Sequence, residues 1–288
     1  MKAAKPRAPP RLPLPRNKLR CGRFEFTLER PLIMGVVNVT PDSFSDGGRY
    51  YARDAAIAHA RRLAEEGAEI VDIGGESTRP GAAPVSEEQE LERILPVLEA
   101  LGDLCISVDT RRPAVMAAAL DAGASMINDV QALQASGALE ALRESQCAVC
   151  LMHMKGEPAT MQRDPHYDDV VREVKAFLQE RVAAAEAAGI ARERIVVDPG
   201  FGFGKTAAHN LTLLGRLAEL GELGAPLLAG LSRKSTIGKL TGRPADARLA
   251  GSLAMALIAV QRGATILRVH DVKETRDVIA VWEALIGT

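Results

Sequence analysis

From residue 32 onward, short runs rich in Val, Ile and Leu alternate with longer stretches whose apolar residues recur every three or four positions. The short runs are LIMGVVN (32–38), EIVDIG (69–74), LCISVD (104–109), SMIND (125–129), AVCLMH (148–153), RIVVD (194–198), PLLAGL (226–231) and TILRVH (265–270). Successive apolar positions mean strands covered on both faces, the pattern of a parallel sheet joined by helical crossovers. The longer stretches carry helix signals. Ser86 and Gln89 form a capping box ahead of Leu91, Ile94, Leu95 and Leu98, Gly102 ends that helix, and Pro96 is expected to bend it. In the same way Ile57, Ala60, Leu63 and Ala64 run into Gly67, and Val174, Phe177, Leu178 and Val182 run toward Gly189. The alternation occurs eight times in units of about 32 residues, which matches a (β/α)₈ TIM barrel of about 250 residues. An open doubly wound sheet would stop sooner, at about five to seven strands.

Composition refines this picture in two places. The chain is 47% apolar and 25% charged, which excludes disorder throughout, and its formal charge of −1 gives no global reason for a nucleic acid or membrane partner. That charge is unevenly spread. Residues 1–20 hold seven Lys or Arg and no acid, together with five prolines, so 1–21 is expected to be a flexible basic tail, with a polybasic docking site as the alternative. Residues 22–288 form the single expected domain. No run approaches the ~18 apolar residues of a membrane span. Four cysteines and no export signal point to a reducing, cytoplasmic setting. Cys147 and Cys150 form a C-x-x-C inside the strand CAVCLM, a position for buried structural thiols, and Cys21 and Cys105 stand apart in sequence.

In a barrel, chemistry gathers where strands run into the following loops. Polar residues collect there: Asn38, then Glu76, Ser77 and Thr78, Asp109, Asn128 and Asp129, Asp198, Arg233 and Lys234, and Arg268 and His270. Two long loops, 39–48 and 74–83, are rich in glycine and small polar residues and read as lids. The loop DPGFGFGKT (198–206) is not a P-loop, because Pro199 stands where the first glycine is required. A loose G-x-G-x-x-A there falls in the sixth unit, whereas a dinucleotide fingerprint belongs to the first. Ring closure would bring Arg268 and His270 beside Asn38. Those donors suit phosphate oxygens, the amide oxygen suits Mg²⁺, and the set suits a diphosphate. Across the mouth Asp109, Asn128, Asp198 and Lys234, with Met152 and Phe203 as apolar lining, suit a flat heterocycle with several ring N–H groups.

The ordered motifs NVTPDSFSDGG, IVDIGGESTRPGA, SVDT, INDV, LMHMKG, DPGFGFGKT, GLSRKS and LRVHDV resemble those of bacterial dihydropteroate synthases, over about residues 22–286. The resemblance implies an enzyme of folate synthesis that joins (7,8-dihydropterin-6-yl)methyl diphosphate to 4-aminobenzoate. It implies that Asp109, Asn128, Asp198 and Lys234 hold the pterin, that Thr78, Arg268 and His270 face the diphosphate, and that Asn38 binds Mg²⁺. Phe44 and Pro80 would pack on 4-aminobenzoate, with Ser235 near its carboxylate. It also implies sulfonamides as inhibitors and a homodimer, for which the helix at 247–261 is a candidate surface. An aryl amine is a weak nucleophile, so a dissociative path is expected, with Asp46 facing the positive charge that grows on the pterin methylene. Two rivals remain at this level: a lyase forming a Schiff base on Lys234, and a non-catalytic pterin-binding paralogue.

Overall fold

A computed structural model describes residues 18–39, 48–76, 85–157 and 160–287. The described chain opens with an antiparallel hairpin, β1 (Lys18–Cys21) and β2 (Phe24–Thr27). There follow β3 (Leu32–Asn38), α1 (Gly48–Glu65), β4 (Ile70–Gly74), α2 (Glu87–Ala100), β5 (Ile106–Asp109), α3 (Pro113–Asp121), β6 (Met126–Asp129) and α4 (Ala138–Arg143). The second half holds β7 (Ala148–Met152), α5 (Val170–Ala187), β8 (Ile195–Asp198), α6 (Ala207–Gly215), β9 (Leu228–Ala229), α7 (Ser235–Thr241), α8 (Leu249–Gln261), β10 (Ile266–Val269) and α9 (Val272–Ile286).

Strands β3 to β8 pair in sequence order, all parallel, while β10 inserts between β9 and β3. The ring closes through a parallel bridge between Val197 and Leu227, supported by the Val197 N–H donating to the Pro226 carbonyl at 2.9 Å. This is the expected TIM barrel. Most strands fall one or two residues short of the predicted runs, and one is shortened far more: the run 226–231 yields a ladder only at Leu228 and Ala229. Pro226 has no N–H to give, and the Leu227 N–H donates to Thr265 Oγ1 at 3.0 Å instead of to a strand. The Ser86–Gln89 capping box forms as expected, and Pro96 lies within the helix it opens.

Alternate residues along each strand point inward, and the interior changes character from one end to the other. At the N-terminal end Met34, Ile70, Cys105, Met126, Cys150, Val196, Leu228 and Ile266 form one apolar cluster. The outward alternates, such as Ile33, Val37, Val71 and Ile73, pack against the helices in a second, larger core. Further along the same inward rows stand Asp72, Ser107, Asn128, Asp198 and Arg268, so the barrel is apolar below and polar above. Asp72 and Ser107 are register partners, as are Asp109 and Asn128.

The hairpin corrects the expected boundary of the basic tail at residue 21. Leu19 and Cys21 are fully buried in the lower apolar cluster, and the Gly22 N–H donates to the Gln146 carbonyl at 2.9 Å. Residues 18–21 therefore belong to the folded domain, because the open lower end of an apolar barrel gains stability from a cover. The same packing brings Cys21 and Cys105, separate in sequence, into one buried cluster. All four cysteines are buried free thiols. No helix among the described residues is long and apolar enough to cross a membrane.

Replacing Leu19 by alanine should lower the unfolding free energy by about 3 kcal/mol with an unchanged urea m-value. A loss below about 0.5 kcal/mol would show that the hairpin adds nothing to the core.

Candidate active site at the barrel mouth

The upper polar layer is organised by one cation. Arg268 rises from β10, where it registers with Met34 of β3, and its guanidinium spans two neighbouring strands. Its Nε donates to Asp72 Oδ2 at 2.6 Å and its Nη2 to Asp109 Oδ2 at 2.8 Å. Asn128 Nδ2 donates to the same Asp72 oxygen at 3.3 Å. Four strands thus meet at one charge cluster inside the barrel, and the sequence holds the partners 159 and 196 positions apart.

A second group of charges sits across the mouth. Asp198 ends β8 and accepts the Gly200 N–H at 2.7 Å. Lys234, which precedes α7, donates to the Phe201 carbonyl and lies 4.6 Å above the Phe203 ring. Such a contact between a cation and an aromatic face is favourable in a partly desolvated site. Met152 is buried and registers with Asp198, placing an apolar wall beside that carboxylate.

Burial dominates the proton affinities here. It pushes the Asp109 carboxyl up to about 7, against the pull of Arg268 and with the help of Asp72. Burial likewise raises Asp198, opposed chiefly by Lys234, and lowers Lys234 to about 8, with Asp198 and Asp109 resisting the fall. Arg268 stays charged, because the two carboxylates outweigh its desolvation.

The cluster leaves acceptors unmet. Asp72 Oδ1, Asn128 Oδ1 and Ser107 Oγ are buried without a hydrogen-bond partner among the described residues. Leaving such atoms unpaired costs about 1–3 kcal/mol each. Unmet acceptors beside the Asp109 and Asp198 carboxylates fit a ligand that brings several N–H donors in one plane.

Of the residues expected at the site, Asp109, Asn128, Asp198, Lys234, Met152 and Phe203 line this mouth. Arg268, expected on the diphosphate side, uses its Nε and Nη2 to hold Asp72 and Asp109 at this mouth. A guanidinium pointing inward from β10 satisfies its fork on the buried carboxylates of β4 and β5 first. His270 is half-buried just past β10, with Nδ1 3.0 Å from Ser232 Oγ. Asn38 is exposed at the end of β3, and Ser235 is exposed at the first position of α7. Phe44, Asp46, Thr78 and Pro80 lie outside the described residues.

Two neighbours at the strand ends prove structural. Asp129 is fully buried and accepts the N–H groups of Gln131 and Leu133 at 2.8 and 2.7 Å, organising the turn where Ala132 and Leu133 take positive φ. Arg233 pairs with Asp271. The residue that sequence reasoning missed is Asp72. Its signal was present, as one acid in the apolar run IVDIG at an inward-facing position.

The raised Asp109 value gives a signed pH dependence. Asp109 carries its proton in the folded state up to about 7 but loses it near 3.8 when unfolded, so stability from this group declines as pH rises through that window. Asp109→Asn removes the titration. Urea unfolding at pH 5 and pH 8 should show the variant gaining on the parent by about 1 kcal/mol or more at the higher pH. A difference independent of pH would remove Asp109 from the buried cluster.

The geometry agrees with what the chain is similar to. The model of the family described as pterin binding enzyme matches residues 34–270. The dihydropteroate synthase of Escherichia coli strain K12 is 52% identical over 273 residues, covering 94% of this chain and 97% of that protein. The crystallised Xanthomonas albilineans dihydropteroate synthase with 4-aminobenzoic acid superposes with a TM-score of 0.89 at 56% identity, covering 94% of this chain and 99% of that one. The same organism's enzyme in complex with 7,8-dihydropteroate gives 0.86 at 54% identity, with equal coverage. The chain belongs to the pterin-binding enzyme family, among the dihydropteroate synthases.

Proposed function

We propose that the barrel mouth joins (7,8-dihydropterin-6-yl)methyl diphosphate to 4-aminobenzoate by a dissociative route, giving 7,8-dihydropteroate and diphosphate. The observation that carries this reading is the set of unmet buried acceptors, Asp72 Oδ1 and Asn128 Oδ1, beside the Asp109 and Asp198 carboxylates. The ligands held by the Xanthomonas relatives support both the amine substrate and the product.

In this reading the pterin ring gives its N–H groups to Asn128, Asp109 and Asp198, while Lys234 donates to a ring acceptor. Met152 and Phe203 exclude water from its faces. The C–O bond to diphosphate breaks first and its electron pair leaves with the diphosphate. His270 and Thr78 receive the growing negative charge, joined by Arg268 once the pterin offers its N–H groups to the carboxylates that hold it. Asp46 faces the methylene as it becomes positive. The aryl amine then supplies the electron pair of the new C–N bond and sheds one proton. Phe44 and Pro80 pack against its ring, and Ser235, at the start of α7, meets its carboxylate.

The residues present fit a Mg²⁺ ion held mainly by substrate. Asn38 offers one exposed neutral oxygen at the mouth, and the described residues contain no group of three His, Cys, Asp or Glu able to cage a metal. Mg²⁺ prefers this arrangement, with few protein ligands and the remainder from phosphates and water, and when bound it neutralises charge on the leaving diphosphate.

Two further features belong to the same proposal. Four buried free thiols support a cytoplasmic setting. Homodimerisation is assigned to the outer side of α8 and α9, where Ile258 and Val281 are exposed apolar residues, while Met255, Ala256, Ala259 and Val260 of α8 are buried in its own protomer. Sedimentation at micromolar concentration should give a dimer that Val281→Glu splits, whereas a parent that sediments as a monomer contradicts the assignment.

Sustained diphosphate release over many turnovers should require 4-aminobenzoate, the pterin diphosphate and Mg²⁺ together, with at most about one equivalent per site released when the amine is withheld. Equal steady-state release without the amine, or none with all three, would contradict the reading. Asp46→Ala should lower kcat about 10²-fold while calorimetry shows near-native affinity for the pterin diphosphate. Unchanged turnover would remove Asp46 from the mechanism.

A further inference from the structure

Lys205 is a lysine at the end of the glycine-rich loop, only 2% exposed, and none of the roles above uses it. Its ammonium faces four acceptors at once. Nζ lies 2.9 Å from His153 Nδ1, 2.9 Å from the Gly200 carbonyl, 3.1 Å from the Phe203 carbonyl and 3.4 Å from the His153 carbonyl. Three donors meeting that many acceptors are fully engaged, so this amine is not available to attack a substrate. Its surroundings resemble a carbonyl cage for a monovalent cation.

The gripped residues lead directly to the pocket. Gly200, whose carbonyl binds Lys205, gives its N–H to Asp198 Oδ1. Phe203, whose carbonyl also binds Lys205, presents its ring to Lys234. His153 begins the loop after β7, and its N–H donates to the Asp198 carbonyl at 2.9 Å. One ammonium therefore draws together three backbone points whose other contacts orient Asp198, the Phe203 ring and the end of β7.

The remainder of the loop has separate fasteners. Tyr167 donates to the Gly204 carbonyl at 2.9 Å, and Asn210 accepts the Gly202 N–H at 2.8 Å. Gly200 and Gly204 take positive φ and press so closely on the carbonyls of His153 and Lys155 that a Cβ would collide with each. At Gly200 this crowding lets the His153 and Gly200 carbonyls both reach Nζ. Burial depresses the proton affinity of His153 to about 3, so the ring is neutral at neutral pH, and with its proton on Nε2 its Nδ1 accepts from Lys205.

We propose that Lys205 is a positioning residue for the pterin pocket, acting as a built-in cation that fixes the loop carrying Asp198 and Phe203 without touching substrate. This rests on the reading of the mouth as a pterin site. Its consequence is a split between substrates. Loss of Lys205 weakens the pterin side and spares the 4-aminobenzoate side.

The test uses Lys205→Met and Lys205→Ala in the full chain. Lys205→Met should raise Kd and KM for the pterin diphosphate about tenfold or more, with KM for 4-aminobenzoate at saturating pterin within about twofold of the parent. The acid limb of pterin affinity should move to higher pH. Asp198 is faced by Lys234, Arg268, Lys205 and the Cys150 thiol, and it would lose one of three cations. Burial lowers the proton affinity of Lys205 well below that of a free lysine; Asp198 opposes the fall, and Lys234 and Lys155 add to it. The charge at the cage is therefore held by the converging carbonyls, His153 Nδ1 and Asp198, and no neighbour replaces it. In Lys205→Ala, ammonium or methylammonium should raise both the thermal midpoint and pterin affinity, whereas tetramethylammonium, which has no N–H, should do neither.

A folded Lys205→Met with native pterin affinity and an unmoved acid limb overturns the proposal. So does a fall in kcat with pterin affinity intact, which would mark Lys205 as a reacting group. If Lys205→Met does not fold, the ammonium response of Lys205→Ala decides, and equal effects of ammonium and tetramethylammonium overturn it. Failure of the parent to bind the pterin diphosphate would refute the functional reading instead, and the thermal response to ammonium would still test the cage.

Discussion

A guanidinium placed inside the barrel is the constraint on which the mouth depends. Arg268 bridges Asp72 and Asp109, and this bridge exists only because β10 closes against β3, which brings the last strand within reach of β4 and β5. Two carboxylates so close together in a low-dielectric interior repel one another, and one bidentate cation makes their shared burial tolerable. The residual conflict is visible in Asp109, whose proton affinity rises to about 7 although an arginine is bound to it. A site poised in this way binds donors strongly, because each new N–H relieves an existing electrostatic cost.

Stability and chemistry are separated along the barrel axis. The lower half is an apolar plug of Met34, Ile70, Met126, Val196 and their neighbours, covered by the β1–β2 hairpin. It supplies cohesion that the upper half gives up. Above it, Asp72, Ser107 and Asn128 hold polar atoms with no protein partner among the described residues, a departure from the near-universal pairing of buried polar groups that marks functional sites. Between the two, backbone geometry holds the loops. Asp129 fastens the turn after β6, and the side chains of Lys205, Tyr167 and Asn210 fasten the loop after β8. The catalytic surface is therefore built on loops whose peptides are anchored from beneath.

The barrel was legible in the chain because parallel strands buried on both faces must read as unbroken apolar runs, and eight such runs with helical spacing admit few folds. The mouth was legible for a related reason. Asn38, Asp109, Asn128, Asp198, Lys234 and Arg268 are polar residues at or just beyond the ends of such runs, and strand ends converge in a barrel. Asp72 escaped notice since a single acid inside an apolar run looks like an interruption, and its burial becomes reasonable only when Arg268 arrives from the far end of the chain. The hairpin escaped notice because Leu19 and Cys21 alternate with basic residues that continue the character of the leader. Lys205 sat in a loop inspected for nucleotide binding, and nothing in the spacing of GFGFGK shows that its side chain turns inward onto carbonyls. Sequence patterns report which face a residue occupies, whereas the direction of a long side chain depends on acceptors that only the fold assembles.

The most direct test of the account is the proton balance when the pterin diphosphate binds. Calorimetry at pH 6.5 in buffers of differing ionisation enthalpy measures it, and at that pH Lys234 is already charged while Asp109 still holds much of its proton. Ring N–H donors reaching the carboxylates favour their ionised form, so binding should release a substantial fraction of a proton, and Asp109→Asn should markedly reduce that release, leaving only the share of Asp198. Binding with no proton released, or with the same release in the variant, would contradict a mouth built on carboxylates shared around Arg268.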